Sequence, residues 1–269
     1  MNFTVKMLGT ASAVPFSDRN PSAQALDVHG RLYLIDCGEG TQQRFRQEHL
    51  SFVKVQAVFL SHIHGDHVFG IFGLLSTMSL YHRLEPLRIF APENFRPLFD
   101  FFLSSYGEGL GFSLEFIPLT MSVPEEIYRD NVLKVSAFPL NHKIPCFGFR
   151  FEEITRDGRN PLKPRTYAYC SDTAPFPALA EWVRGVDALY HETTYPQEME
   201  DKARQYFHST SIDAARCAAE AGAGKLLIGH YSSRVRETGI FQEECRTVFA
   251  ESYAMNDGDV VDFPATRTK

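Results

Sequence analysis

The sequence predicts an α/β fold with sheets at its centre and helices outside. Short apolar strand candidates and helical stretches interleave along all 269 residues, and no repeat, low-complexity tract or linker divides them. Several strands also empty into polar, glycine-bearing loops, which places those loops at one end of a sheet. With 44% hydrophobic residues the chain can bury a sizeable core without staples, so the reading is one domain over residues 1–269.

Taken in order, residues 3–8 alternate as a strand, and Gly9-Thr10-Ala11-Ser12-Ala13-Val14-Pro15 is a loop of small residues that a substrate can approach closely. Residues 24–28 and 32–35 predict two more strands around His29-Gly30. The second ends in Asp36-Cys37-Gly38-Glu39-Gly40-Thr41-Gln42, and 43–49 has helical polar character. The run 55–60 is a buried strand. Residues 68–80 read as one apolar helix, 87–90 as a strand stopped by Ala91-Pro92, and 95–105 as a helix. Further strands are expected at 114–118, 132–139 and 225–229, with an apolar-aromatic segment at 166–170. Residues 214–223 read as an outer helix carrying an Arg216–Glu220 ion pair. His29, His49 and His82 read as surface or helix-end residues, and 263–269 as a frayed tail.

The chemistry concentrates in Ser61-His62-Ile63-His64-Gly65-Asp66-His67, directly after the strand at 55–60. Three imidazoles and a carboxylate in six residues would crowd one metal, whereas two metals could share them. A second set is dispersed but lies at equivalent places. His142 follows the strand at 132–139, Asp172 follows 166–170, and His230 follows 225–229. Singly, each reads equally well as a hydrogen-bonded histidine or a turn aspartate; together, at strand ends beside that motif, they read as ligands. Glu192 and His208 are open, on chemistry alone, between a helix-start ion pair and an acid–base pair.

Composition bounds the setting. No apolar run approaches the roughly 20 residues of a membrane span, and Met1-Asn2-Phe3-Thr4 lacks the basic and apolar regions of a signal peptide, so a cytoplasmic protein with no membrane partner is expected. Five cysteines without CxxC spacing read as reduced thiols and not as a disulfide frame. A net charge of −6 advertises no global nucleic-acid field, although a local basic patch is enough to contact phosphates.

The order His62-x-His64-x-Asp66-His67, then His142, Asp172 and His230, resembles the metallo-β-lactamase superfamily of metal-dependent hydrolases. More narrowly, the chain is similar to the ribonuclease Z family of transfer-RNA 3′-end-processing endonucleases. The similarity lies in Leu8-Gly9-Thr10, in 36–42, in 61–70, in His191-Glu192-Thr193-Thr194 with Tyr206-Phe207-His208-Ser209-Thr210, and in Gly229-His230-Tyr231-Ser232-Ser233-Arg234. The resemblance implies an αββα sandwich of two mixed sheets with outer helices and the site at one edge. It also implies two Zn²⁺, with Mn²⁺ possible: His62, His64 and His142 hold the first, Asp66, His67 and His230 the second, and Asp172 bridges them. Asp66 then takes the proton of the attacking water, and His208, oriented by Glu192, protonates the leaving 3′-oxygen. Thr41, Ser232 and Arg234 are the substrate-binding candidates. Precursor transfer RNA is the implied substrate and a homodimer the implied assembly.

One departure bears on the substrate. The family typically carries a long Gly-, Pro- and Lys/Arg-rich arm between the segments corresponding to His142 and Asp172, and that arm grips the transfer-RNA elbow. Only 29 residues lie between those positions here, and 156–161 predicts a hairpin tip beside a basic cluster of Arg156, Arg159, Lys163 and Arg165. RNA would then be met by loops near Arg44, Arg46 and Arg234. A small-molecule hydrolase of the same fold, acting on a cyclic or small phosphodiester, lactone or thioester, is the alternative. A noncatalytic RNA-binding protein is a further one, and it predicts a missing ligand or proton donor.

Overall fold

In the computed structural model, which describes residues 2–14, 16, 19–155 and 162–267, two seven-stranded sheets pack face to face between helices. The first half of the chain runs β1 (Phe3–Gly9), β2 (Ala23–Val28), β3 (Arg31–Ile35), α1 (Thr41–Gln47), β4 (Val55–Phe59), α2 (Gly65–Val68), α3 (Ile71–Leu80), β5 (Leu87–Pro92), α4 (Arg96–Tyr106) and β6 (Leu114–Leu119). The second half runs β7 (Glu125–Arg129), β8 (Leu133–Pro139), β9 (Phe147–Glu153), β10 (Thr166–Cys170), α5 (Leu179–Trp182), β11 (Ala188–Glu192), α6 (Glu200–Tyr206), α7 (Ser211–Ala221), β12 (Leu226–Gly229), α8 (Gly239–Arg246), β13 (Ser252–Ala254) and β14 (Val260–Asp262).

One sheet has the order β14-β1-β2-β3-β4-β5-β6, and the other β13-β12-β11-β10-β9-β8-β7. Each mixes parallel and antiparallel pairs, such as β3 with β4 and β2 with β3. The expected αββα sandwich is therefore the observed one. Its layers follow from three apolar clusters. One fills the space between the sheets, with Tyr33, Phe59, Phe149 and Tyr169 buried in it. A second joins the first sheet to α1, α3 and α4, and a third joins the second sheet to α5, α7 and α8. Strands covered on both faces need side chains that are apolar on both, which is why 55–60 and 225–229 read as continuous apolar runs and not as alternating ones.

Several expectations need correction. Residues 68–80 are not one helix: Gly65 to Val68 already form a helical turn inside the histidine motif, and the chain breaks at Phe69 and Gly70 before α3 starts at Ile71. The break follows from close approach. The Gly70 amide donates to Cys37 O at 2.9 Å, and a Cβ on Gly70 would stand 2.1 Å from Gly38 O. The tail is tied down as far as residue 267. Phe263 is buried and its amide donates to Phe3 O at 3.0 Å, while the Lys163 amide donates to Thr266 O at 2.9 Å. Arg216 and Glu220 form no ion pair among the described residues. His49 and His82 are exposed just beyond the ends of α1 and α3, as expected, whereas His29 is half-buried and pairs with Glu153 Oε1 at 2.7 Å; all three take a left-handed turn conformation with φ of 54–55°. The expected tip at 156–161, with Arg156 and Arg159, lies outside the described residues. No helix is long and apolar enough to cross a membrane among the described residues.

Candidate metal centre

The C-terminal ends of β3, β4, β8, β10, β11 and β12 open toward one edge of the sandwich, so residues far apart in sequence meet there. Asp36, just past β3, is the post around which they are fixed. It sits at φ 54, a conformation Asp tolerates, and its carboxylate accepts from Ser61 N at 2.7 Å, Ser61 Oγ at 2.9 Å and Tyr169 Oη at 2.6 Å. The two sheets are thereby stitched together beneath the site. α2 then presents Asp66 and His67 from one turn, with His64 at its N-cap.

All seven candidate ligands converge, and their donor atoms form two sets. In the first, His62 Nε2 lies 2.9 Å from His64 Nδ1 and 3.5 Å from Asp172 Oδ2, and His142 Nε2 lies 3.4 Å from His64 Nδ1 and 3.8 Å from Asp172 Oδ2. In the second, His67 Nε2 is 3.4 Å from Asp66 Oδ2, 3.4 Å from Asp172 Oδ1 and 3.3 Å from His230 Nε2. His230 Nε2 is also 3.4 Å from Asp66 Oδ2 and 3.1 Å from Asp172 Oδ1. Ligand atoms 2.0–2.2 Å from one tetrahedral cation lie roughly 3.3–3.6 Å apart. These edges run from 2.9 to 3.8 Å in the first set and from 3.1 to 3.4 Å in the second, on either side of that spacing. Asp172 gives Oδ2 to one set and Oδ1 to the other.

The remaining ring nitrogens are consistent with this role. His67 Nδ1 pairs with Asp36 Oδ2 at 2.8 Å, His142 Nδ1 with Phe207 O at 3.1 Å, His62 Nδ1 with Ser61 Oγ at 3.0 Å and His230 Nδ1 with Thr194 Oγ1 at 2.9 Å. Each hydrogen bond places the proton on Nδ1 and leaves an Nε2 lone pair facing its set. The chemistry and the spacing fit a metal: these His and Asp residues could hold one. Burial, then the neighbouring His67, pushes His62 down to about 4. Burial also opposes charge on His67, yet Asp66, Asp172 and Asp36 outweigh it and raise that imidazole well above its ordinary value. Three carboxylates thus draw positive charge to this point.

The centre forms the floor of a cavity of about 780 Å³. Glu192, fully buried at the end of β11, accepts from Thr173 N, Thr194 N and Ser209 N at 3.1, 2.9 and 2.9 Å, and from His208 Nδ1 at 3.0 Å. Burial works against an imidazolium at His208, but the Glu192 and Asp172 carboxylates hold it up to about 9. His208 Nε2 has no hydrogen-bond partner among the described residues, and the ring lines the cavity.

Ser232 and Arg234 line the same cavity, the Arg234 guanidinium 3.3 Å from Tyr195 Oη. Thr41 does not: it is buried at the start of α1 and donates to Gly38 O at 2.7 Å. That bond closes the Gly38–Thr41 turn, and it leaves the hydroxyl no access to a substrate. Sequence reasoning passed over Asp36, Thr194 and the Phe207 carbonyl. Only Asp36 had a signal, its place at the end of an apolar strand.

Residues 31–231 match the model of the beta-lactamase superfamily domain. Ribonuclease Z of Porphyromonas gingivalis is 36% identical over 95% of this chain and 97% of its own. The chain belongs to the ribonuclease Z family. Its class is that of a metal-dependent hydrolase of the endoribonuclease type. The ribonuclease Z of Bacteroides thetaiotaomicron is 32% identical over 93% of this chain and 92% of its own. Both alignments, at 295 and 290 positions, are longer than the 269-residue chain, so these relatives carry residues that this one lacks. The solved short form of human tRNase Z superposes with a TM-score of 0.81 at 28% identity, covering 97% of this chain and 99% of its own. YhfI of Bacillus subtilis, at 21% identity and a TM-score of 0.79, shares the fold.

Proposed function

We propose that this chain is a two-zinc phosphodiesterase that removes the 3′ trailer of precursor transfer RNA, working as one domain over residues 1–269. The observation that carries the reading is the pair of adjoining ligand sets, His62, His64, His142 and Asp172 beside Asp66, His67 and His230, with Asp172 Oδ1 3.1 Å from His230 Nε2 and the His208 ring at their rim. His62, His64 and His142 would hold one ion, Asp66, His67 and His230 the other, with Asp172 between them, and Mn²⁺ would suit the same nitrogen and oxygen donors. When bound, the two ions supply an activated water and neutralise charge on the phosphodiester. Asp66, whose Oδ2 faces His67 and His230, would accept on its carboxylate the proton that the water loses. His208 gives the leaving 3′-oxygen the proton on Nε2, and Glu192, bonded to Nδ1–H, favours the imidazolium from which that proton is given. Arg234 and Ser232, on the cavity wall, meet the phosphate backbone.

Phe69, Leu80 and Phe101, on or beside the neighbouring helices α3 and α4, support a homodimer; they are 67, 78 and 62% exposed. Five free cysteines support a reducing, cytoplasmic setting.

A second reading, an armless hydrolase of small phosphodiesters, is favoured by the 29 residues between His142 and Asp172. The test is zinc-loaded protein incubated with an unprocessed transfer RNA and, separately, with bis-p-nitrophenyl phosphate. Trailer release leaving a 3′-hydroxyl is the expected result. Hydrolysis of the small ester with intact transfer RNA selects the second reading, and inactivity on both removes the phosphodiesterase reading.

A further inference from the structure

Among the described residues, six other than glycine have positive φ: His29, Asp36, His49, His82, Phe207 and His230. Five are His or Asp, types enriched in the left-handed region. Phe207, at φ 61 and ψ 46, is the one bulky aromatic, and a strained residue of that kind is a pointer to function. It ends α6, where glycine is the usual occupant, and at 38% exposure its ring is not a core side chain.

What the bend achieves is visible in the backbone. The Phe207 carbonyl accepts from His142 Nδ1 at 3.1 Å, which a right-handed continuation of α6 would prevent by turning that carbonyl along the helix axis. The same bend sends the chain back on itself, with the His208 amide donating to Ala203 O at 2.8 Å. It delivers the His208 ring to Glu192 and the Ser209 amide to the same carboxylate oxygen. Lys143, the neighbour of His142, lies with its Nζ 4.9 Å over the Tyr206 ring and holds the two segments together from the other side.

We propose that Phe207 is a positioning residue whose left-handed backbone orients His142 as a ligand and sets His208 over the cavity, so that a single bend couples the metal centre to the proton donor. This rests on His142 holding metal and His208 giving the proton.

The test compares full-length Phe207→Gly and Phe207→Asn, which accept positive φ, with Phe207→Val, which resists it. Zn²⁺ affinity, thermal stability of the metal-depleted protein and turnover of bis-p-nitrophenyl phosphate are read for each. Gly and Asn are expected to keep wild-type zinc affinity and turnover. Val is expected to weaken the His142-dependent zinc by about 10–100-fold, the range for lost support of a ligand, and to lower turnover with it. Should Val not fold, Phe207→Ala takes its place. Equal zinc affinity across the series overturns the proposal, and so does an equal loss in Gly, Asn and Val, which would put the effect in the ring. His142→Ala and His208→Ala are measured alongside. Full zinc binding in the first or full turnover in the second sinks the underlying roles, whatever the Phe207 series does.

Discussion

The two ends of the sandwich each bury charged and polar side chains, but in opposite ways. At the end away from the cavity, Glu153 accepts from Arg165 Nη2 at 2.6 Å, from Arg165 Nε at 2.8 Å and pairs with His29 Nε2 at 2.7 Å. Beside it, Asp130 accepts from Arg31, Tyr33 and Tyr128 and from the amides of Val132 and Leu133. Acceptors there meet donors. At the cavity end, imidazole nitrogens and carboxylate oxygens converge instead, 2.9–3.8 Å apart, on common points. The first arrangement is complete in itself, whereas the second is one that a bound cation would complete.

That contrast can be broken most sharply at Asp172. Asp172→Asn removes charge from both ligand sets, so zinc content measured by atomic absorption should fall to near zero and turnover with it. Added zinc should then no longer raise the melting temperature, whereas wild-type protein should gain about 2.7 kcal/mol at a metal concentration 100 times Kd. Next in size, His208→Ala should lower turnover by about 10²–10⁴-fold with zinc content unchanged. Glu192 and Asp172 hold His208 above its ordinary value, so its proton donation should be present at neutral pH and lost on the alkaline side. In Glu192→Gln, a pH–rate profile should show that alkaline limb at lower pH. If the limb stays in place, another group donates the proton.

The far end predicts the reverse pattern. Glu153→Gln removes the carboxylate charge that Arg165 and His29 share and should cost about 1.5–3 kcal/mol in denaturant unfolding, with metal content unaffected. Burial works against the Glu153 charge, but hydrogen bonds from Arg165 and His29 keep its carboxyl below the ordinary range. Its contribution is therefore full above the ordinary glutamate pKa and disappears as pH falls through the lower, folded value. Acid titration of the unfolding midpoint should show this in wild type and not in Glu153→Gln. Smallest is Thr210→Ala. Thr210 and Asp213 form a capping box on α7, with Asp213 Oδ2 accepting from the Thr210 amide at 2.9 Å, so about 1 kcal/mol should be lost. Turnover should hold unless this cap also steadies His208, two residues away.

Legibility in the sequence followed the same division. The strands at 55–60 and 225–229 were readable because burial on both faces demands continuous apolar runs, and the ligands because each follows such a run. β7, β9, β11, β13 and β14 were not. β7, β13 and β14 lie at sheet edges, are five or three residues long, and carry exposed or half-buried side chains such as Glu125 and Val260, so periodicity had nothing to register. β9 and β11 lie inside their sheet, but Gly148 and Arg150 interrupt the first and His191-Glu192 ends the second. The helix expected over 68–80 failed for a different reason. Its break comes from Gly70 meeting Cys37 and Gly38, partners about 30 residues away.

The chain by itself determined which side chains could take part: seven nitrogen- and oxygen-bearing residues, each placed after a strand, together with a glutamate and a histidine whose roles it left open. Only the folded molecule decided that Asp172 offers one oxygen to each ligand set, that Thr41 turns inward while Arg234 faces the cavity, and that a bend at Phe207 steers His142. Those outcomes depend on directions and separations across two sheets. Adjacency along a chain sets residue types and spacing, whereas directions are fixed only when distant strands pack.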